Sequence, residues 1–118
     1  MKGIRMSHNW KKILVSPNAT IRSVLRTIDQ QALKLALVVD VDNRLLGSVT
    51  DGDIRRAILR DVSLEDSVNI VMNTNPTTAD VSMTKDDILS LMGRKELHAI
   101  PILDDRVVIG LQTLLGLI

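Results

Sequence analysis

Gly47-Ser48-Val49-Thr50-Asp51-Gly52-Asp53-Ile54-Arg55-Arg56 is the stretch on which the reading of the whole chain turns. An apolar run, Ala36 to Val39, and a turn-like segment, Asp40 to Arg44, come before it, and Ile54 to Arg60 follow with helical spacing. The stretch therefore reads as a strand, a sharp transition and the start of a helix. The first turn of a helix leaves N–H groups unpaired, and its dipole favours anions. Thr50 offers a hydroxyl at the strand end, and Asp53 offers a carboxylate one turn later. A carboxylate accepts two hydrogen bonds at once, which suits the paired hydroxyls of a ribose, while a phosphate suits the Thr50 end. The same residues also serve a plainly structural role, with Thr50 and Asp51 capping the helix and Asp53 complementing its dipole.

Upstream, Trp10 to Val15 is an apolar approach, and Ser16-Pro17-Asn18-Ala19 signals a turn into a helix. Ile21, Val24, Leu25, Ile28 and Ala32 then share one helical face, with Arg22, Arg26 and Asp29 off it. Leu35 to Asp40 reads as a buried strand, Asp42-Asn43 as a turn, Leu45 to Thr50 as a second strand and Asp51 to Arg60 as a second helix. Downstream, Ser63-Leu64-Glu65-Asp66 has the form of a capping box and predicts a short helix, which Asn73-Thr74-Asn75-Pro76 ends.

The pattern then recurs. Thr84-Lys85-Asp86-Asp87 opens a helix carrying Ile88, Leu91, Met92 and Lys95; His98 to Asp104 is a strand, Asp105-Arg106 a tight turn, and Val107 to Gln112 a strand. Asp104 stands sixty-four residues after Asp40, and at that offset Thr20 meets Thr84, Leu25 meets Leu89 and Leu33 meets Leu97 without a gap. The second turn is one residue shorter, so that Gly110 meets Gly47 and Thr113 meets Thr50. This is a tandem repeat of strand–helix–strand–strand–helix units, each too small to bury its own sheet. The fold expected is α/β (α+β), with two small sheets packed together as one module. Residues 1–9 are an extension, 10–62 the first repeat, and 63–118 a connecting helix and second repeat. The last helix, starting near Leu114, is incomplete at Ile118, as in a piece of a longer protein; Met6 is a candidate original first residue.

With 118 residues, 45% of them hydrophobic, the chain is large enough for a real core. Fifteen basic and 14 acidic side chains leave a net charge of +1, and Trp10 is the sole aromatic residue. A nucleic-acid surface needs a basic patch or stacking platforms, and neither is present. The lack of cysteine excludes disulfides and thiolate metal sites and suits a cytoplasmic protein. No apolar run approaches the ~20 residues that cross a bilayer, so no membrane partner is expected.

Two repeats, each ending in Gly-h-h-Thr-x-x-Asp or a relic of it (h, apolar), resemble a CBS domain pair, or Bateman module, from about Trp10 to Ile118. His98-Ala99-Ile100-Pro101-Ile102-Leu103-Asp104 resembles the second-strand signature of that family. The resemblance implies a non-catalytic regulatory module that dimerises and reports ligand state to an attached domain. Its ligands would be adenosine-containing, such as AMP, ADP, ATP or S-adenosylmethionine, with no covalent cofactor. The opening Trp10 to Ile21, with Val49 to Arg56, is similar to the amino-terminal CBS pair of sugar-phosphate nucleotidyltransferases of the mannose-1-phosphate guanylyltransferase-like kind. Arabinose-5-phosphate isomerases carry a similar pair. By the same resemblance, Thr50 and Asp53 face phosphate and ribose, Ser48, Val49 and Asp51 form the adjoining backbone, Thr77 on the first strand of the second repeat lies beside the base, and His98 lines the same cleft.

Departures from the family pattern bear on that site. Gly116 stands where the second repeat should carry its aspartate, Ala99 stands where an arginine often meets phosphate, and Leu115 falls at or near a further basic position. One competent site is expected rather than two. The reading from another class is a structural dimerisation module with a vestigial site.

Other motifs fail on their own terms. Asp40-Val41-Asp42 follows an apolar strand as in Asp-x-Asp phosphatases, but Arg44 stands where that class needs a small hydroxyl residue. As a calcium loop, Asp40 to Asp51 lacks Gly at position six and Glu at position twelve. His8 and His98 have no ligand cluster around them, and Arg55 and Arg56 read as a solvated helix face within reach of a phosphate.

Overall fold

In the computed structural model, residues 9–114 and 116 are described. After a 3-10 turn at Asn9–Ile13, the first repeat runs β1 (Leu14–Val15), α1 (Ile21–Gln30), β2 (Leu35–Val39), β3 (Leu45–Thr50) and α2 (Asp51–Leu59). The second runs β4 (Ala79–Asp80), α3 (Lys85–Lys95), β5 (Ala99–Asp104) and β6 (Val107–Thr113). The last helix expected near Leu114, the Leu115 position and the N-terminal residues through His8 lie outside the described residues.

Each repeat forms its own three-stranded sheet, β1-β2-β3 and β4-β5-β6, with the first pair parallel and the second antiparallel. The middle strand β2 buries Ala36, Leu37, Val38 and Val39 in succession, as a strand covered on both faces must. Both sheets slip register at the corresponding place, between Val38 and Val39 and between Ile102 and Leu103. The repeat thus extends to a backbone irregularity that apolar periodicity does not reveal.

The helices follow their caps. The Thr20 hydroxyl accepts the Ser23 N–H at 3.1 Å and opens α1, whose Ile21, Val24 and Ile28 are buried. Ala32, expected on that face, is exposed beyond the helix end. Thr84 accepts the Asp87 N–H at 3.1 Å and opens α3, burying Ile88 and Met92. The turn after β2 absorbs its acids: Asp40 Oδ1 accepts the N–H groups of Asp42 (2.8 Å) and Arg44 (3.0 Å), and Arg44 Nε donates to Oδ2 at 3.1 Å. The Arg44 backbone N–H, ahead of the other partners, holds the Asp40 carboxyl below its usual range.

The short helix expected from Ser63-Leu64-Glu65-Asp66 does not form; that segment is a turn leading to a 3-10 turn at Val68–Ile70. Its main-chain groups are engaged elsewhere. Asp66 and Leu64 carbonyls accept the N–H groups of Ile21 and Arg22 at 2.9 Å, and Val68 N–H donates to the Ala19 carbonyl at 2.8 Å. The segment thereby satisfies the first turn of α1, which a local helix would have left open. Further on, Asn73 exchanges both backbone hydrogen bonds with Ser48, at 3.0 and 2.8 Å. Gly47 permits this approach: a Cβ there would stand 2.7 Å from the Asn73 carbonyl oxygen and 2.8 Å from the Met72 sulfur.

By internal contacts the chain divides into Lys11–Pro76 and Thr77–Ile118, the latter grouped with Trp10. Residues 63–76, expected ahead of the second repeat, lie with the first. In the first unit Ile21, Val24, Ile28, Val38, Val49 and Ile54 belong to one buried cluster that also takes in Val68. In the second unit Ala79, Ile88, Met92 and Ile100 form another.

Candidate functional site

The strand-to-helix junction at Thr50 is built by reciprocal capping. Thr50 has extended backbone, and its Oγ1 accepts the Asp53 N–H at 3.2 Å. Asp53 Oδ2 accepts the Thr50 N–H at 2.9 Å in return. The structural role open to these residues is therefore realised. Asp53 Oδ1 also takes the Arg56 guanidinium at 2.7 Å. The Asp53 side chain is 20% exposed and that of Arg56 58%. A partly sheltered anion thus sits at the start of α2, beside a hydroxyl and an exposed cation.

Around this junction the structure brings together five of the expected site residues. Ser48 and Val49 are buried on β3, Thr50 is half-buried, and Asp51 is exposed with its carboxylate on the Gly52 N–H at 3.1 Å. Asp53 completes the group. Thr77 and His98 belong to the other unit. Thr77 is not on a strand but two residues ahead of β4, because only Ala79 and Asp80 pair with β5. His98 is exposed just ahead of β5, and its carbonyl accepts the Leu114 N–H at 3.3 Å. Both lie at one end of the second sheet, where the parallel strands β4 and β5 begin.

The second repeat closes its own junction with main chain instead of a carboxylate. Thr113 Oγ1 accepts the Gly116 N–H at 3.2 Å, and the Thr113 N–H donates to the Gly116 carbonyl at 2.9 Å. Gly116 has φ +153°, a conformation that favours glycine.

Sequence reasoning missed two partners of the site. Asn73 clasps Ser48 across a long loop and leaves no local signal. Arg56, read as part of a solvated face, pairs with Asp53 three positions before it, a spacing that places both on one helix surface. Among the described residues no group of three or more His, Cys, Asp or Glu could hold a metal ion, and no helix is long and apolar enough to cross a membrane.

The family model for the CBS domain matches residues 4–60 and 64–111, and the chain belongs to the CBS domain family. An uncharacterized protein of Rickettsia prowazekii (strain Madrid E) is 32% identical over 98 residues, which cover 83% of this chain and 30% of that protein. An arabinose 5-phosphate isomerase of Yersinia pestis is 29% identical over 97 residues, 81% of this chain and 30% of the isomerase. The chain thus spans about 30% of the length of these curated relatives. Among solved structures, a CBS domain protein of Pyrobaculum aerophilum complexed with AMP superposes with a TM-score of 0.74 at 20% identity, covering 86% of this chain and 79% of that one. That likeness is one of fold.

Proposed function

We propose that the chain is a non-catalytic regulatory module that binds one adenosine-type nucleotide between its repeats. In this reading Asp53 receives the ribose hydroxyls, Thr50 faces the phosphate, and Ser48, Val49 and Asp51 shape the adjoining wall. Thr77 and His98 contribute from the second repeat. A ligand held by both repeats favours one relative arrangement of them, and it shifts that equilibrium only by its differential affinity for the two states. The carrying observation is the Asp53 carboxylate, retained beside Thr50 in one repeat while the other closes the same turn without any charge. The AMP complex of the Pyrobaculum aerophilum protein supports the ligand class.

The attached domain in this reading is a sugar-phosphate enzyme. The opening and the junction motif point to a nucleotidyltransferase, whereas the relatives with a named activity include an arabinose 5-phosphate isomerase and an inosine-5'-monophosphate dehydrogenase of Halobacterium salinarum, and the isomerase is the one that supports this reading. Ile58 and Leu59, 47% and 77% exposed on α2, support self-association as a homodimer. The absence of cysteine supports a cytoplasmic setting.

One observation favours the structural reading, a dimerisation module with a vestigial site: both Asp53 oxygens already have partners within the chain. Thermal unfolding with AMP, ADP, ATP and S-adenosylmethionine, on the wild type and on Asp53→Ala, separates the two. A ligand at a hundredfold excess over its Kd stabilises the folded state by about 2.7 kcal/mol. The regulatory reading expects such a shift with at least one ligand and its loss in Asp53→Ala. No shift with any of them at millimolar concentration leaves the structural reading.

A further inference from the structure

The two bonds made by the Asp53 carboxylate are unlike. The bond from Oδ2 to the Thr50 N–H at 2.9 Å belongs to the main-chain geometry that starts α2. The bond to Oδ1 from Arg56 at 2.7 Å comes from a long side chain that is 58% exposed to solvent, where an ion pair is worth little. A hydroxyl ligand that approaches Asp53 therefore competes with Arg56 for Oδ1.

The space beside this pair has a definite border. A Cβ on Gly52 would lie 3.4 Å from Arg56 Nη1, 3.6 Å from Arg55 Nη2 and 3.6 Å from Thr50 Oγ1. Two guanidinium groups and a hydroxyl thus converge on a position that carries no side chain. An anion placed beside the Thr50 hydroxyl is within a side-chain rotation of Arg56.

We propose that Arg56 is a specificity-determining residue, which makes the site select phosphate-bearing nucleosides over the neutral nucleoside. The proposal rests on the nucleotide-binding reading above. A neutral nucleoside has only hydroxyls to offer. To reach Oδ1 it must break the Asp53–Arg56 bond and leave the guanidinium without an anion. A nucleoside 5′-phosphate gives that guanidinium a second anion, which its planar fork can grip at two oxygens. Arg56 then turns from one charge-assisted bond to another, and Oδ1 is released to the ribose. The phosphate thus uncovers the sugar-binding group. Ala99 supplies no cation of its own, and Gly116 leaves the second repeat without a carboxylate to be covered.

Calorimetric titration with adenosine and AMP as the probes tests this on the whole chain. The wild type is expected to prefer AMP. Arg56→Gln is expected to weaken AMP and strengthen adenosine together, so that the preference falls about tenfold or more. Strengthened adenosine binding is a gain that misfolding cannot produce. Arg55→Gln removes the same charge beside the same glycine but frees no oxygen of Asp53, so it is expected to leave adenosine binding unchanged and to lower the preference less than Arg56→Gln does. An unchanged preference in Arg56→Gln overturns the proposal, as does an equal loss in Arg55→Gln. Where AMP binding depends on Asp53 and the preference survives Arg56→Gln, only the selectivity role falls. Where the wild type binds neither probe, the nucleotide-binding reading falls with it.

Discussion

The two junctions, Thr50 to Asp53 and Thr113 to Gly116, make the same pair of hydrogen bonds with different chemistry. In each, the threonine hydroxyl accepts the N–H three residues on at 3.2 Å. In each, the threonine N–H donates at 2.9 Å to an oxygen of that third residue. The oxygen is a carboxylate in the first repeat and a backbone carbonyl in the second. The turn therefore does not need the charge. What the first repeat has in addition is a carboxylate paired with an exposed arginine, and this sets it apart as the candidate binding half.

The largest effect expected concerns the clasp recorded for the first repeat, Ser48 to Asn73. Gly47→Ala drives a Cβ against the Asn73 carbonyl and should destabilise by about 2–3 kcal/mol in urea unfolding, with faster exchange of the Asn73 amide. A cost under about 0.5 kcal/mol would mean that the clasp yields freely. Next come the paired substitutions Thr50→Ala and Thr113→Ala. Thr50→Ala should cost about 1 kcal/mol and Thr113→Ala more, because the Thr113 hydroxyl also donates to the Gly116 carbonyl at 2.7 Å, and an equal cost would show that this extra bond adds nothing. Gly93 in α3 has nothing within 4 Å of an added Cβ, so Gly93→Ala should stabilise the second repeat by about 0.5–1 kcal/mol.

The smallest effects are acid-dependent, and each repeat carries one. Asp40 is held low chiefly by the Arg44 backbone N–H, and Asp80 chiefly by the Ser82 hydroxyl. Both carboxyls have folded values below their unfolded ones. Their contribution is therefore present above the ordinary aspartate value, about 3.9, and is lost as pH falls through the lower folded value. Asp40→Asn and Asp80→Asn should each flatten the stability profile below about pH 4, and unfolding followed from pH 7 to pH 2 reads this directly.

Much of this was legible because its signals are local. Thr50 and Thr84 announce their helices from within four residues, Ser16-Pro17-Asn18-Ala19 announces the first, and the alternation of apolar runs with Asp42-Asn43 and Asp105-Arg106 places the strands. Thr50 and Asp53 were legible as a pair, although sequence left their capping and ligand-binding roles side by side. What escaped depends on partners far along the chain. The residues at 63–66 look like a helix start until Ile21 and Arg22 claim their carbonyls. Asn73 has no mark of its own that points to Ser48. Thr77 falls short of its strand because pairing with β5 begins only at Ala79, a limit set by the neighbour's register.

The carbonyls of Leu64 and Asp66 that cap α1 also set apart the sequence match from the bonded unit. The family model ends its first match at residue 60 and resumes at 64, whereas the contact-defined unit runs on to Pro76. A fragment cut between the two matches would sever Ile21 and Arg22 from their acceptors and Ser48 from Asn73. The stretch that the family model matches is thus shorter than the stretch these hydrogen bonds tie together. Transplanting this repeat into another protein calls for the later boundary.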